Sequence, residues 1–136
     1  FKEAMRLVAP VPALVRKTTA DTDLVGHFVP KGTMVVVAPG AVHSVGDHWV
    51  NVDDFDPLRY TGPREEHKGH RYGFVPFGGG AHMCLGLHFA YMQVKILMAQ
   101  LLQRYRIEVA DGYEPEWQPW PIPKPRDGLR IALTAL

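Results

Sequence analysis

The chain contains one cysteine, Cys84, near the end of the run Phe77-Gly78-Gly79-Gly80-Ala81-His82-Met83-Cys84-Leu85-Gly86. A cysteine acts as a metal ligand through its thiolate, and a helix N-terminus or a metal favours that form by lowering a thiol pKa that is ordinarily about 8.5. Residues 85–104 carry Phe89, Met92, Ile96, Met98, Leu101 and Leu102 at helical spacing. The expectation is a glycine-rich loop that runs into a helix, with Cys84 at or near the first turn. Unpaired backbone N–H groups point outward there and can hydrogen-bond a thiolate sulfur. The competing reading is a small buried core residue, as many free cysteines are. A second group with electrostatic potential is Glu3 with Arg6, three residues apart and so on one helix face. Alone, such a pair is an ordinary surface ion pair worth about 0.3–0.5 kcal/mol.

The elements that must position these groups follow from the rest of the chain. Its 136 residues, 46% hydrophobic and 21% charged, suit one globular unit. The net charge of +1 gives no footprint for nucleic acid. One cysteine forms no internal disulfide, which fits a reducing compartment or a metal site. No apolar run approaches the roughly 20 residues of a membrane span, and no signal-peptide pattern opens the chain. Residues 1–8 read as the end of a helix, stopped by Pro10 and Pro12. Residues 13–19 and 23–28 read as a strand pair, Pro30-Lys31-Gly32 as a turn, and residues 33–38 as a buried strand. Residues 40–45 suit one helical turn. Residues 47–72 are polar and aperiodic, so a long ordered meander is expected. Residues 105–109 and 129–134 read as strands. The Pro- and Trp-rich residues 115–125 read as extended loop and edge strand.

The cysteine run resembles the haem-binding loop of the cytochrome P450 superfamily, F-x-x-G-x-[R/H]-x-C-x-G. Phe77, Gly80, His82, Cys84 and Gly86 fill every defined position. Glu3 and Arg6 match the E-x-x-R of that family, and Pro57-Leu58-Arg59-Tyr60 matches its P-x-R-[F/W/Y] element. Lys31-Gly32-Thr33 and Phe55-Asp56-Pro57 fit the same pattern, and Phe89-Ala90 with the helix after it is similar to bacterial members near the sterol demethylase and cyanobacterial branches. The resemblance covers essentially the whole chain. It implies an α+β fold that is the C-terminal part of a P450, residues 1–136 forming one fragment with its cysteine loop at 76–86 and its proximal helix at 85–104.

The resemblance also implies the chemistry. The cofactor would be haem b (iron protoporphyrin IX), with Cys84 as axial and metal ligand. Phe77 would shield the sulfur, Gly78, Gly80 and Leu85 would lie along the haem, and Gly86 would let the helix approach. His82 and Arg16 would meet haem propionates, Ala90 would be the small residue beneath the ring, and His43 is a further candidate for a propionate. Glu3, Arg6 and Arg59 would form a buried charge network holding the loop in shape. The other histidines, His67, His70 and His88, form no metal pattern, and a solvated loop accounts for His67 and His70. Where many relatives carry Arg or Lys before the cysteine, this chain has Met83, and Lys68, Arg71 and Lys95 are the candidates for a basic face. Residues 11–14 and 116–120 are the candidate substrate contacts.

A distal helix bearing A-G-x-x-T does not occur in this sequence. Two readings therefore stand. In one, the chain is part of a monooxygenase, possessing a further N-terminal part, that inserts one oxygen atom from O2 into a small lipophilic organic substrate. Electrons would come from a redox partner, a ferredoxin or a flavoprotein reductase, and a peroxide-using relative is a variant of this reading. A bacterial member would be soluble and cytoplasmic, with an upstream membrane anchor left open. In the other, the chain is a truncated or split haem-binding or interaction module without oxygenase activity.

Overall fold

The structure, a computed structural model, describes residues 1–136. Helix α1 (Lys2–Leu7) carries Glu3 in its first turn and Arg6 in its last. That arrangement complements the helix dipole at both ends. The helix ends at Val8, whose backbone is extended, just before Pro10.

The strand pairing differs from the sequence expectation. Strand β1 (Leu14–Lys17) pairs antiparallel with β4 (Met34–Val37), Leu14 opposite Val37 and Lys17 opposite Met34. Residues 23–28 are not one strand. They belong to a separate hairpin, β2 (Thr22–Leu24) and β3 (His27–Val29), with Leu24 opposite His27. Val25 and Gly26 between them both have positive φ, 52° and 82°, as a two-residue type I′ turn requires. Strand β4 is also not buried in this chain: Met34 is 70% exposed and Val36 54%.

Helix α2 (Pro39–His43) starts on a proline, whose fixed φ suits the first helical position. Residues 47–72 form the expected meander, with 3₁₀ turns at Pro57–Tyr60 and Glu66–Lys68. Asp56 caps the first turn by accepting from the Leu58 N–H. Helix α3 (Leu87–Leu102) is two residues shorter at each end than the 85–104 expected, and no residue of it is buried. Strand β5 (Tyr105–Glu108) pairs with β8 (Ala132–Ala135), and β6 (Trp117–Gln118) with β7 (Lys124–Pro125). β8 begins later than position 129 because Gly128 and Leu129 take positive φ and interrupt the extended chain. The result is an α+β arrangement of small antiparallel two-stranded sheets.

The core is small and lies to one side. Met5, Ala9, Trp49 and Val75 are its apolar members, and Glu3, Arg6, His43 and Arg59 are buried among them. It joins α1, α2, the meander and the segment that leads into the cysteine loop.

Candidate functional site: a buried charge cluster beside an exposed thiol

Glu3, Arg6 and Arg59 meet in one hydrogen-bonded cluster. Arg6 grips Glu3 bidentately, Nε to Oε2 at 2.9 Å and Nη2 to Oε1 at 2.9 Å. Arg59 Nε donates to the same Oε1 at 3.0 Å, and so does the Asp56 N–H. Sequence reasoning missed a fourth member. Glu66 accepts from Arg59 Nη1 at 2.7 Å, from Arg64 and from the Val50 N–H. It supplies the charge that two arginines and one carboxylate lack. A buried, unbalanced cation is costly, so the cluster needs this partner. Trp49 lies under both guanidinium groups, 5.4 Å from Arg6 and 5.9 Å from Arg59, a cation–π arrangement. Burial pushes the Glu3 carboxyl up, but hydrogen bonds from Arg6 and Asp56 and the charge of Arg6 outweigh it and leave a pKa of about 2. Glu66 is also held low, its hydrogen bonds from Arg64, Val50 and Arg59 exceeding the effect of burial.

Two histidines depart from expectation. His43 is fully enclosed, so it offers no accessible atom to a propionate. Its Nε2 accepts from the Val75 N–H at 2.9 Å, and its carbonyl accepts from Arg6 Nη1 at 3.3 Å. His67 is not solvated. It is half-buried, its Nε2 lies 3.1 Å from Lys2 Nζ, and its ring packs against Tyr60 and Phe74. Nothing periodic in residues 47–72 could have pointed to Trp49, Glu66 or His67. The only usable signal was charge: the proposed triad did not balance.

The cysteine loop leaves this core after Val75 and Pro76. Phe77 packs against Tyr91 of α3, ring centres 5.7 Å apart. Its carbonyl accepts the Cys84 N–H at 3.0 Å, which closes the loop. Gly78 and Gly80 have φ of 73° and 69°, a region costly for any residue with a Cβ. Cys84 is a free, exposed thiol. It precedes the first turn of α3 rather than lying in it, since Gly86 is the N-cap. Its Sγ stands 3.7 Å from where a Gly86 Cβ would be. Leu85 is fully exposed, and Gly80 and His82 are exposed in a 3₁₀ turn on the same loop. Ala90 is half-buried one turn into α3. Arg16 lies on β1, and its one side-chain hydrogen bond goes to the Val15 carbonyl rather than to the charge cluster. It lines a cavity of about 350 Å³ with Leu14, Val37, Val42, Tyr72, Val75 and glycines 78–80. The structure thus brings Arg16 to the cysteine loop, although the two are far apart in sequence.

The expected basic face is partly occupied. Lys68 is paired with Glu65 at 2.6 Å, and Arg71 stacks on Tyr72. Lys95 borders a cavity with Phe1, Lys2 and Tyr91. On another side, Trp117, Pro119 and Pro123 meet Leu7, Val8, Ala9 and Pro12 in an apolar groove of about 380 Å³ with no charged lining. Residues 116–120 and the proline segment after α1 therefore share one wall.

An exposed cysteine on a glycine-rich loop that leads from a core with a buried Arg–Glu cluster into a long helix, within a frame of small antiparallel sheets, defines the α+β arrangement of this chain. Residues 1–129 match the cytochrome P450 family, and the chain belongs to it. It is 46% identical over 134 residues to cytochrome P450 136 of Mycobacterium tuberculosis, covering 98% of this chain and 27% of that protein. A sterol 14alpha-demethylase of Mycolicibacterium vanbaalenii is 38% identical over 114 residues, covering 84% of this chain and 25% of its own. Human lanosterol 14-alpha demethylase is 35% identical over 115 residues, 85% and 22% of the two chains. Among solved structures, a retinoic acid-bound cyanobacterial CYP120A1 superposes with a TM-score of 0.91 at 32% identity, covering 99% of this chain and 31% of that one. The chain spans about a quarter of the length of the curated relatives it matches.

Proposed function

We propose that residues 1–136 are the C-terminal, haem-binding portion of a haem-thiolate monooxygenase, with Cys84 as the axial ligand of haem b. The observation that carries this reading is a free, exposed thiol on a loop whose backbone is fixed by two positive-φ glycines. The donor set fits the group. No cluster of three or more His, Cys, Asp and Glu side chains converges in the chain. A zinc site takes three or four protein ligands, whereas an iron already held by four ring nitrogens needs a single protein sulfur. When bound, such an iron receives electron density from the thiolate that favours O–O cleavage.

The remaining roles belong to this chain's own side chains. Gly78, Gly80, Leu85 and Gly86 would let the loop lie close to a flat ring, and Ala90 would leave room beneath it. Phe77, packed on Tyr91, would keep water from the sulfur. Arg16, from β1, and His82, from the loop, would hold the propionate carboxylates, a task that suits the bidentate guanidinium. Glu3, Arg6, Arg59 and Glu66 touch none of the reacting atoms and would hold the scaffold from which the loop projects. The uncharged groove beside Trp117 suits a lipophilic organic substrate that carries no charge at that end. A ferredoxin or flavoprotein reductase would approach the side of Met83 and α3, with His88 and Lys95 as contacts. The oxygen-inserting activity belongs to the complete protein.

The deciding measurement is the absorption of the reduced carbon monoxide complex of the full-length protein. The strongly red-shifted Soret band of thiolate ligation is expected, and Cys84→Ser abolishes it. An ordinary histidine-type spectrum from folded wild-type protein would refute the assignment of Cys84.

A further inference from the structure

The cysteine loop with the segment leading into it, residues 74–86, makes one hydrogen bond to a side chain elsewhere in the chain. Its backbone hydrogen bonds are internal: Gly78 to Val75, Met83 to Gly80, Cys84 to Phe77, Ala90 to Gly86. The Val75 N–H is the exception. It donates to Nε2 of His43 at 2.9 Å, the only side-chain hydrogen bond made to residues 73–90. His43 is itself fixed from the other side, since its carbonyl accepts from Arg6 at 3.3 Å. The ring is fully enclosed and lies 5.3 Å from that of Phe74. A continuous path therefore runs from Glu3 and Arg6 through His43 to Val75, and from there to Phe77, whose carbonyl holds the Cys84 amide.

We propose that His43 is a positioning residue for the cysteine loop, its Nε2 acceptor fixing the Val75 amide and hence the placement of the Cys84 sulfur. An acceptor nitrogen carries no proton, so His43 is neutral with its proton on Nδ1. Burial and the nearby Arg6 charge both disfavour the imidazolium, which agrees with that state. No protein group accepts from Nδ1. What the imidazole provides and a phenyl ring of similar size would not is therefore the acceptor facing Val75.

The inference about the sulfur rests on the proposed ligand role of Cys84, and the test keeps the two apart. It uses the haem-loaded full-length protein with His43→Phe, His43→Asn and His43→Gln. A Gln amide oxygen reaches the Nε2 position, whereas that of Asn falls a bond short and Phe has none. Two quantities are read: hydrogen exchange at the Val75 amide, and the rate at which the thiolate-type carbonyl complex decays to the thiol form. His43→Asn and His43→Phe are expected to lose Val75 protection and to accelerate the decay by about tenfold or more, the scale of a lost buried hydrogen bond. His43→Gln stays near wild type in both. Equal losses in Gln and Asn, or no loss in either, would overturn the proposal, and that contrast holds even where His43→Phe does not fold. A wild-type protein without the thiolate band would instead refute the role of Cys84, and Val75 exchange would still decide the tie.

Discussion

All five guanidinium donors of Arg59 are engaged: Nε with Glu3, Nη1 with Glu66 and the Val50 carbonyl, Nη2 with the Asn51 and Asp54 carbonyls. Arg6 is equally satisfied by Glu3 and three carbonyls. Removing one member leaves its partners charged, buried and unpaired, which costs about 3–5 kcal/mol. Arg59→Ala is expected to lower the melting temperature of the full-length protein sharply and to reduce haem content, although the side chain does not reach the cysteine loop. Arg59→Lys should recover little, because a point charge with three donors cannot replace a planar fork with five. Wild-type stability and haem content in Arg59→Ala would reduce the cluster to decoration. The same cluster sets an acid limit. The folded pKa of Glu3, about 2, lies below the ordinary 4.5. Its contribution is therefore complete above pH 4.5 and is lost as pH falls from there toward about 2. The loss is on the order of 3 kcal/mol, and Glu66, shifted the same way, adds to it. Denaturant midpoints measured from pH 6 down to about pH 2 should stay level at first and then fall. A flat profile through that lower window would mean that Glu3 is not held ionised by its partners.

Among the elements, the cysteine loop depends on backbone conformation more than on contacts. Gly80 has φ of 69° and no atom of this chain within 4 Å of the position a Cβ would take, so without haem Gly80→Ala is penalised by conformation alone. The cost is about 1–2 kcal/mol. Gly46 also has open space around it but no positive φ. Gly46→Ala should therefore be neutral or slightly stabilising, and the difference between the two variants in thermal melts isolates the strain. Equal melting temperatures would mean that the loop relaxes at no cost. This loop was legible in the sequence because glycine, cysteine and an aromatic at fixed offsets leave few alternatives. α1, α2 and α3 were legible through spacing and proline punctuation, whereas the charged triad was legible only through the family resemblance, since spacing alone made Glu3 and Arg6 a surface pair. The β2–β3 hairpin was not. Its turn places Val25 at φ 52°, where a β-branched residue is disfavoured, so the usual Asn-Gly or Asp-Gly signal was absent. The pairing of β1 with β4 is a tertiary outcome that local pattern does not encode. Nor did local pattern mark the burial of His43 and His67, whose environment is built from residues far away in the chain.

At the scale of the whole molecule, the surface is too large for the mass. A compact monomer of 15.2 kDa is expected to expose about 7,100 Å². This chain exposes 10152 Å², about 3,000 Å² more. The excess has a definite character. On α3, Phe89 is 61% exposed, Ile96 57%, Leu97 62% and Leu102 54%, and β4 leaves Met34 and Val36 in solvent. An ordinary monomer keeps contiguous apolar patches to a few hundred Å². The apolar spacing that predicted α3 is therefore real, but the surfaces it should pack against are not supplied by these residues. Relatives roughly four times as long supply more chain, and we propose that the rest of the full-length protein covers these faces. The 136-residue chain made alone should then associate through them, bind an apolar dye, and take up haem weakly and without the thiolate spectrum. Light scattering coupled to size exclusion, dye titration and haem titration would test this together. A monodisperse monomer of 15.2 kDa that ignores the dye and binds one haem tightly would show that these faces need no cover. The reading of the chain as one part of a larger enzyme would fall with that result, and the split-module reading would take its place.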